Sequence, residues 1–417
     1  MRSCDNAATM TAERRRARAL LPVIGPGMDQ RPGLSGVEPS ALEAWLAARG
    51  EPGYRSRQIA DAVWRGDSTS LDDVRTLPTG LRAALDEAFR FDTVDDTDVR
   101  ATDGGLTEKA LHRLPDGSLV ESVLMRFPGG TDRRERHTLC ISSQAGCAVG
   151  CPFCATGELG FKRDLAAAEI LDQVRHAARR LSENRRRLTN IVFMGMGEPL
   201  LNLDAVLAAV EALADPRRFG LGARHITVST SGVVPGIRRL SAMGPQFTLA
   251  VSLHAARDSL RDVLVPLNRR WPVAEVVAAA RDHARATGRR ITYEVTMIEG
   301  INDTELDARA MADLLRGDLA HVNLIPMNPV AHTPWQASAV DVIERFAATL
   351  REAGISTTIR RNRGQEIGAA CGQLAAERAG EPAARAVARR RAIIVRDSAA
   401  ALRGERNRRP VPAGVGE

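Results

Sequence analysis

Tyrosine is almost absent from this chain, lysine nearly so, and cysteine is sparse. Its 417 residues carry two Tyr and six Cys, and among 58 basic side chains only Lys109 and Lys162 are lysines. Aromatic residues make up 4% of the sequence, which excludes extensive base stacking on aromatic platforms. No stretch reaches the roughly 18 uninterrupted apolar residues that a membrane span requires. Near the start, Ala19 to Ile24 is too short for a secretory signal core and is broken by Pro22. Six cysteines in so long a chain, without such a signal, exclude a disulfide scaffold and point to a reducing cytoplasm.

What is present is apolar residue enough for a large core, 44% of the chain, and a net charge of +7. Arginine supplies nearly all of the positive charge. Part of that excess reflects genome composition, and a solvated surface explains it as well as a phosphate-rich partner does.

Along the chain, residues 1–37 read as a disordered, basic and Gly/Pro-rich extension. Residues 38–97 read as a helical accessory module. Ser40 is the expected cap of a helix bearing Leu42, Trp45 and Leu46; Ala60, Val63 and Trp64 repeat that spacing, and Leu81, Leu85 and Phe89 follow. Residues 98–133 form a β-rich connection, with runs at 110–114 and 119–127 joined at Pro115-Asp-Gly117. From 134 to 375, strands at 138–143, 189–194, 224–229, 247–252, 290–297 and 321–325 alternate with helices at 165–181, 204–214, 234–242, 273–287, 303–316 and 340–353. Such alternation makes an α/β fold with a parallel sheet. Six units are too few for a closed eight-stranded barrel, so an open, partial (βα)6 barrel is expected. Residues 376–417 are an Arg-rich tail.

The most informative motif follows the first of these strands. Cys147, Cys151 and Cys154 form a C-x3-C-x2-C triplet. Structural zinc takes four ligands in paired spacings, whereas the nearest histidines, His137 and His176, lie ten residues before the triplet and twenty-two after it. A [4Fe–4S] cluster normally has four Cys ligands, so three dedicated thiolates leave one iron open to a partner.

Other polar motifs sit where parallel α/β folds gather their working residues, at strand ends. They are Met194-Gly-Met-Gly-Glu-Pro199, Ser229-Thr-Ser-Gly232, Ser252-Leu-His254 and Pro326-Met-Asn-Pro329. Each alone is weak, because Gly and Ser end strands for turn reasons. Their convergence on one face with an open iron is much stronger. Two more cysteines stand apart. Cys140 shares a strand face with Thr138 and Ser142, and Cys371 lies in a glycine-flanked stretch that reads as a flexible loop. A lone cysteine is by itself usually a small buried hydrophobe.

Together these residues resemble the radical S-adenosylmethionine (SAM) superfamily, and within it the RlmN type of adenine-C2 RNA methyltransferase, over roughly residues 38–375. The resemblance implies that Cys147, Cys151 and Cys154 hold a [4Fe–4S] cluster. It further implies that Gly197, Glu198, Ser229, Ser252, Leu253, His254 and Asn328 contact SAM, which the cluster's electron cleaves to a 5′-deoxyadenosyl radical. In this family the cysteine matching Cys371 is first methylated by one SAM. A second SAM supplies the radical that activates the S-methyl group toward adenine C2 in 23S rRNA and in tRNA. The cysteine matching Cys140 resolves the resulting protein–RNA adduct through a transient disulfide with Cys371, and Glu121 matches the proton acceptor. Between Glu121 and Cys140 the Arg-rich stretch Phe127–Arg136 is longer than the family leads one to expect. A reduced electron donor such as flavodoxin or ferredoxin and a monomeric, cytoplasmic enzyme complete the expectation.

Chemistry gives the route its reason. Adenine C2 lies between two ring nitrogens and is electron-poor, and the methyl of SAM is electrophilic too. A thiolate must first accept the methyl group, and a radical must then activate it. Thiolate is the nucleophilic form of Cys, so Arg360, Arg361 and Arg363 near Cys371 are suitable neighbours. Two other readings stand beside this one: adenine-C8 methylation of the Cfr type, which shares both cysteines, and a non-catalytic zinc-bearing RNA-binding protein.

Overall fold

A computed structural model describes residue 29 and residues 31–131, 134–360 and 362–374. Cys4, Arg361 and the expected tail 376–417 lie outside the described residues. Three helices, α1 (Pro39–Ala47), α2 (Tyr54–Trp64) and α3 (Thr79–Ala88), build the accessory module. Leu42, Leu46, Ile59, Val63, Leu81 and Leu85 form its buried seam, and Trp45 meets Phe89 edge-on at 5.3 Å. Pro39 occupies the first turn of α1, so Ser40 is already inside the helix and does not cap it.

Residues 31–37 correct the expected disorder. Leu34 and Ser35 are buried, and Leu34 packs into the accessory core. The glycines that suggested flexibility serve close approach instead: a Cβ on Gly33 would lie 2.6 Å from Ala168, and one on Gly36 would lie 3.0 Å from it.

Strand β1 (Asp95–Thr102) precedes an antiparallel hairpin of β2 (Thr107–Arg113) and β3 (Leu119–Phe127), which pairs with β4 (Arg136–Cys140). β1 escaped the sequence reading because Asp95-Asp-Thr-Asp-Val-Arg-Ala-Thr102 has no apolar alternation; it is the exposed outer strand. Next come the short pair β5 (Gln144–Gly146) and β6 (Phe161–Asp164), with α4 (Ala155–Leu159) between them, and then α5 (Ala167–Ser182).

The rest alternates as expected: β7 (Asn190–Phe193), α6 (Leu203–Ala214), β8 (Ile226–Thr230), α7 (Val234–Met243), β9 (Thr248–Ser252), α8 (Asp258–Leu264), α9 (Val273–Thr287), β10 (Ile291–Met297), α10 (Glu305–Leu315), β11 (Ala320–Pro326), α11 (Val340–Glu352) and β12 (Ser356–Ile359). Among the described residues ten strands form one open sheet in the order β1-β2-β3-β4-β7-β8-β9-β10-β11-β12. From β4 onward every neighbouring pair is parallel. The C-terminal ends of these strands therefore lie together, and the motifs that follow them share one rim. Apolar strand residues such as Ile191, Val228, Val251, Val295 and Leu324 are completely or almost completely buried beneath helices. β12 is a seventh parallel strand that the sequence reading missed, since Ser-Thr-Thr-Ile is short and polar.

Several side chains bolt the accessory module to the core, among them Arg179 to the carbonyl of Ser68, Arg218 to that of Ser35 and, most deeply buried, Arg175. Arg175 on α5 donates to the carbonyls of Val63 and Phe91, at 2.8 Å each, and to Asp92 and Asp172. Asp172 in turn accepts from the backbone and hydroxyl of Thr93. Removing one member of a buried ion pair leaves the other charge uncompensated. Arg175→Ala should therefore cost about 3–5 kcal/mol, read as a lower urea midpoint; a change below about 0.5 kcal/mol would refute this account.

Candidate active site

The cysteine loop leaves β4 and is tied down at once. Gln173 on α5 grips Ser142 at both backbone groups, 2.9 and 3.1 Å, while the Ser142 hydroxyl donates to the carbonyl of Glu121 at 2.6 Å. Gly146 takes φ +79°, and a Cβ there would lie 1.8 Å from the carbonyl oxygen of Gly160. That contact lets Cys147 N–H donate to Gly160 at 2.9 Å. Gly146→Ala should consequently block the turn. Anaerobically reconstituted protein should fall from about four irons per chain to below one, measured together with labile sulfide. A full iron complement would show that the loop tolerates the substitution.

Cys147, Cys151 and Phe153 pack against an apolar cluster that includes Val149, Leu260 and Leu264. Burial pushes all three thiols up, Cys147 to about 12. Among the described residues only Asp96, His112 and His176 gather three ligating atoms within 4.8 Å of one another. The three sulfurs do not all lie within 4.8 Å of one another. His137 and His176 are engaged elsewhere, with Arg187 and with Asp92 and Asp96.

A pocket opens beside the loop. Cys154 and Phe153 line it together with Gly197, Glu198, Ser229, Ser252, His254 and Asn328, all expected from the strand-end motifs. Gly197 takes φ +101°, and a Cβ there would lie 2.5 Å from Gln144. Glu198 is buried, and its carboxylate accepts from the backbone of Leu200 at 3.0 Å and of Ser231 at 2.6 Å. Burial pushes the pKa of its carboxyl up while those amides oppose the shift. The hydroxyls of Thr230 and Ser231 also reach the carboxylate and oppose the shift.

His254 adopts the left-handed backbone at φ +61°. Its Nδ1 accepts from Thr296 N–H at 3.1 Å, which assigns the ring proton to Nε2. Burial, then the charge of Arg261, lowers its pKa to about 3, so the ring is neutral. Leu253 is the exception among the expected contacts. It is not a lining residue: its side chain is fully buried, its N–H donates to Glu294 and its carbonyl accepts from Arg261.

The opposite wall carries Cys371, Gly372 and Arg360. The loop is not slack, as the sequence had suggested. Asn328 donates to the Cys371 carbonyl at 2.9 Å and accepts from Gln365 at 2.6 Å. Ala155 N–H donates to Gly372 at 2.6 Å, and the Thr156 hydroxyl donates to Leu374 at 2.7 Å. An Arg360 Nη1 lies 3.7 Å from the Cys371 sulfur, while Arg363 stacks on Phe127 instead.

Comparison with known proteins matches this geometry. Residues 141–312 fit the model of the Radical SAM superfamily. A probable dual-specificity RNA methyltransferase RlmN from Frankia alni is 49% identical over 355 residues, 80% of each chain. The chain belongs to the RlmN family. A second such relative, from Moorella thermoacetica, is 44% identical over 83% of this chain and 98% of its own length. A crystal structure of a radical SAM methyltransferase from Sphaerobacter thermophilus is 48% identical, with a TM-score of 0.79 over 83% of this chain and all of that one. This RlmN-family chain is accordingly a radical SAM RNA methyltransferase, and its cofactors are a [4Fe–4S] cluster and SAM.

Two expected residues lie behind the pocket wall. Cys140 is buried, and its pKa is pushed up to about 12, first by burial and then by Cys371, with Arg360 opposing. Glu121 is buried and paired with Lys109 at 3.0 Å, and Lys109 reaches the Cys371 loop beside Gly368. Sequence reasoning missed Arg261 and Glu294. Arg261 is fully buried; it donates to the carbonyls of Leu253, Ser231 and Ser252 and so staples the ends of β8 and β9. Nothing in the surrounding sequence signalled that role. Glu294 lines the pocket from mid-strand, bonded to Asn323 at 2.8 Å.

Proposed function

We propose that this enzyme methylates C2 of adenine in 23S rRNA and in tRNA, through a methyl group carried on Cys371. What supports the reading is the position of Cys371. Its loop forms one wall of the pocket whose other walls hold Cys154 and the strand-end motifs, with Arg360 against the sulfur. Cys147, Cys151 and Cys154 hold the cluster, and Gly197, Glu198, Ser229, Ser252, His254 and Asn328 form the SAM site. When bound, these groups supply the methyl group and a carbon-centred radical. Cys371 accepts the methyl group on its sulfur, with the Arg360 guanidinium 3.7 Å from it. Asn328, hydrogen-bonded at both ends of its amide to the Cys371 loop, holds that loop toward the pocket. Glu121 takes the C2 proton while Lys109 balances its charge. Cys140 then attacks the Cys371 sulfur, the S–S bond forming as the sulfur–methylene bond breaks and leaves its electron pair on the adenine-bound carbon. An external thiol reductant restores both cysteines.

Nucleoside mass spectrometry of ribosomal RNA and tRNA, after incubation with SAM and a reductant, tests the assignment. The expected product in both RNAs is 2-methyladenosine, identified against standards of both isomers. Appearance of 8-methyladenosine would move the enzyme to the Cfr type. One zinc per chain without labile sulfide would remove the radical chemistry altogether.

A further inference from the structure

The enzyme needs an electron as well as a methyl group. The cluster loop has a second accessible side. Ala148 and Val149, between the first two cysteines, line a shallow depression with Pro266, Leu267, Arg269 and Arg270. This depression shares no lining residue with the SAM pocket. We propose that it is the docking surface for a small acidic carrier protein that delivers one electron from a flavin mononucleotide.

Charge, floor and rigidity agree. Arg269 and Arg270 are exposed and make no ion pair among the described residues. Arg270 stacks on Trp271, its guanidinium 4.6 Å from the ring, which fixes its direction. Two unneutralised guanidinia steer an acidic partner to this patch and orient it there.

The floor is apolar, and Val149 and Leu267 belong to the same cluster that packs on Cys147 and Cys151. A flavin presents an apolar dimethylbenzene edge at the surface of such carriers, which an apolar floor ringed by arginines complements. The surface is also held still. Asn268, in the 3-10 turn Pro266–Arg269, accepts from Arg261 at 2.9 Å and donates to Asp262 at 2.7 Å and Asp258 at 3.0 Å. Arg261 in turn lies close enough to Cys151 for their charges to interact.

The electron balance is simple. The carrier's anionic flavin hydroquinone becomes the neutral semiquinone, the cluster is reduced by one electron, and no proton crosses the interface. An RNA would also be drawn by arginines. The depression is built on the outer side of the cluster loop, apart from Cys371, where a carrier and not the substrate has to arrive. The proposal requires the cluster alone and is independent of the C2 assignment.

The test uses the cluster-loaded double variant R269E/R270E with a bacterial flavodoxin as the probe. At low salt its Kd, from titration, should rise at least about tenfold. Semiquinone formation in stopped flow should slow in proportion. Iron content, RNA affinity and dithionite-driven turnover should match the wild type. Unchanged flavodoxin affinity and rate would overturn the proposal. So would a variant that loses RNA affinity and keeps flavodoxin affinity, which would make the patch an RNA contact. A wild type that is served by a [2Fe–2S] ferredoxin and not by flavodoxin would overturn the flavin assignment.

Discussion

Cys371→Ala should yield no detectable methylated adenosine, a loss of at least about 10^4-fold. The substitution removes one sulfur and little else. The loop is held through the Cys371 carbonyl, the Gly372 carbonyl and the Leu374 carbonyl, none of which belongs to the side chain. Cluster content and SAM affinity should therefore remain at wild-type levels, and the defect should be chemical. Intact-mass measurement of wild-type protein after exposure to SAM should show one added methyl group, absent from the variant. Methylated RNA from the variant would sink the carrier role of Cys371.

Cys140→Ala should fail at the other end of the reaction. Its expected product is RNA covalently joined to protein, approaching about one RNA per chain as turnover stops, seen on denaturing gels. The buried setting of Cys140 adds a pH signature. Burial, the larger cause and one that persists when Cys371 is alkylated in the adduct, holds its pKa above the usual thiol value, so the thiol is protonated at neutral pH and the thiolate fraction grows as pH rises. Release of the adduct in wild-type enzyme should then accelerate about tenfold per pH unit through the neutral range. A Cys140→Ala variant that frees its RNA at the wild-type rate would refute the resolving role.

The parallel core was legible because periodicity changes visibly from strand to helix. All six expected strands and all six expected helices lie within a few residues of their observed limits. Strands without apolar alternation were not legible. β1 is acidic and exposed, and β12 is polar and borrows its order from pairing with β11. Residues 31–37 show the same limit from the other side, since glycine marks a close backbone approach there, and only the partner Ala168 reveals it.

At the site, loop position disclosed the triplet and most of the strand-end residues that line the pocket. Backbone engagement was not disclosed. Leu253 sits in the motif between two lining residues, yet its own side chain is buried in the core just past the end of β9. Arg261 and Glu294 carry no motif, because their importance comes from what a distant strand places beside them.

The hydrogen bond from Ala155 to Gly372 joins the residue after Cys154 to the residue after Cys371. On the proposed assignment of the triplet to the cluster, loading of iron and ordering of the Cys371 loop should be linked equilibria, each adding to the other's stability by the same free energy. Loss of the metal should then loosen part of the constraint on Cys371. Oxygen damage to the cluster would accordingly be reported in amide hydrogen exchange some two hundred residues further along the sequence.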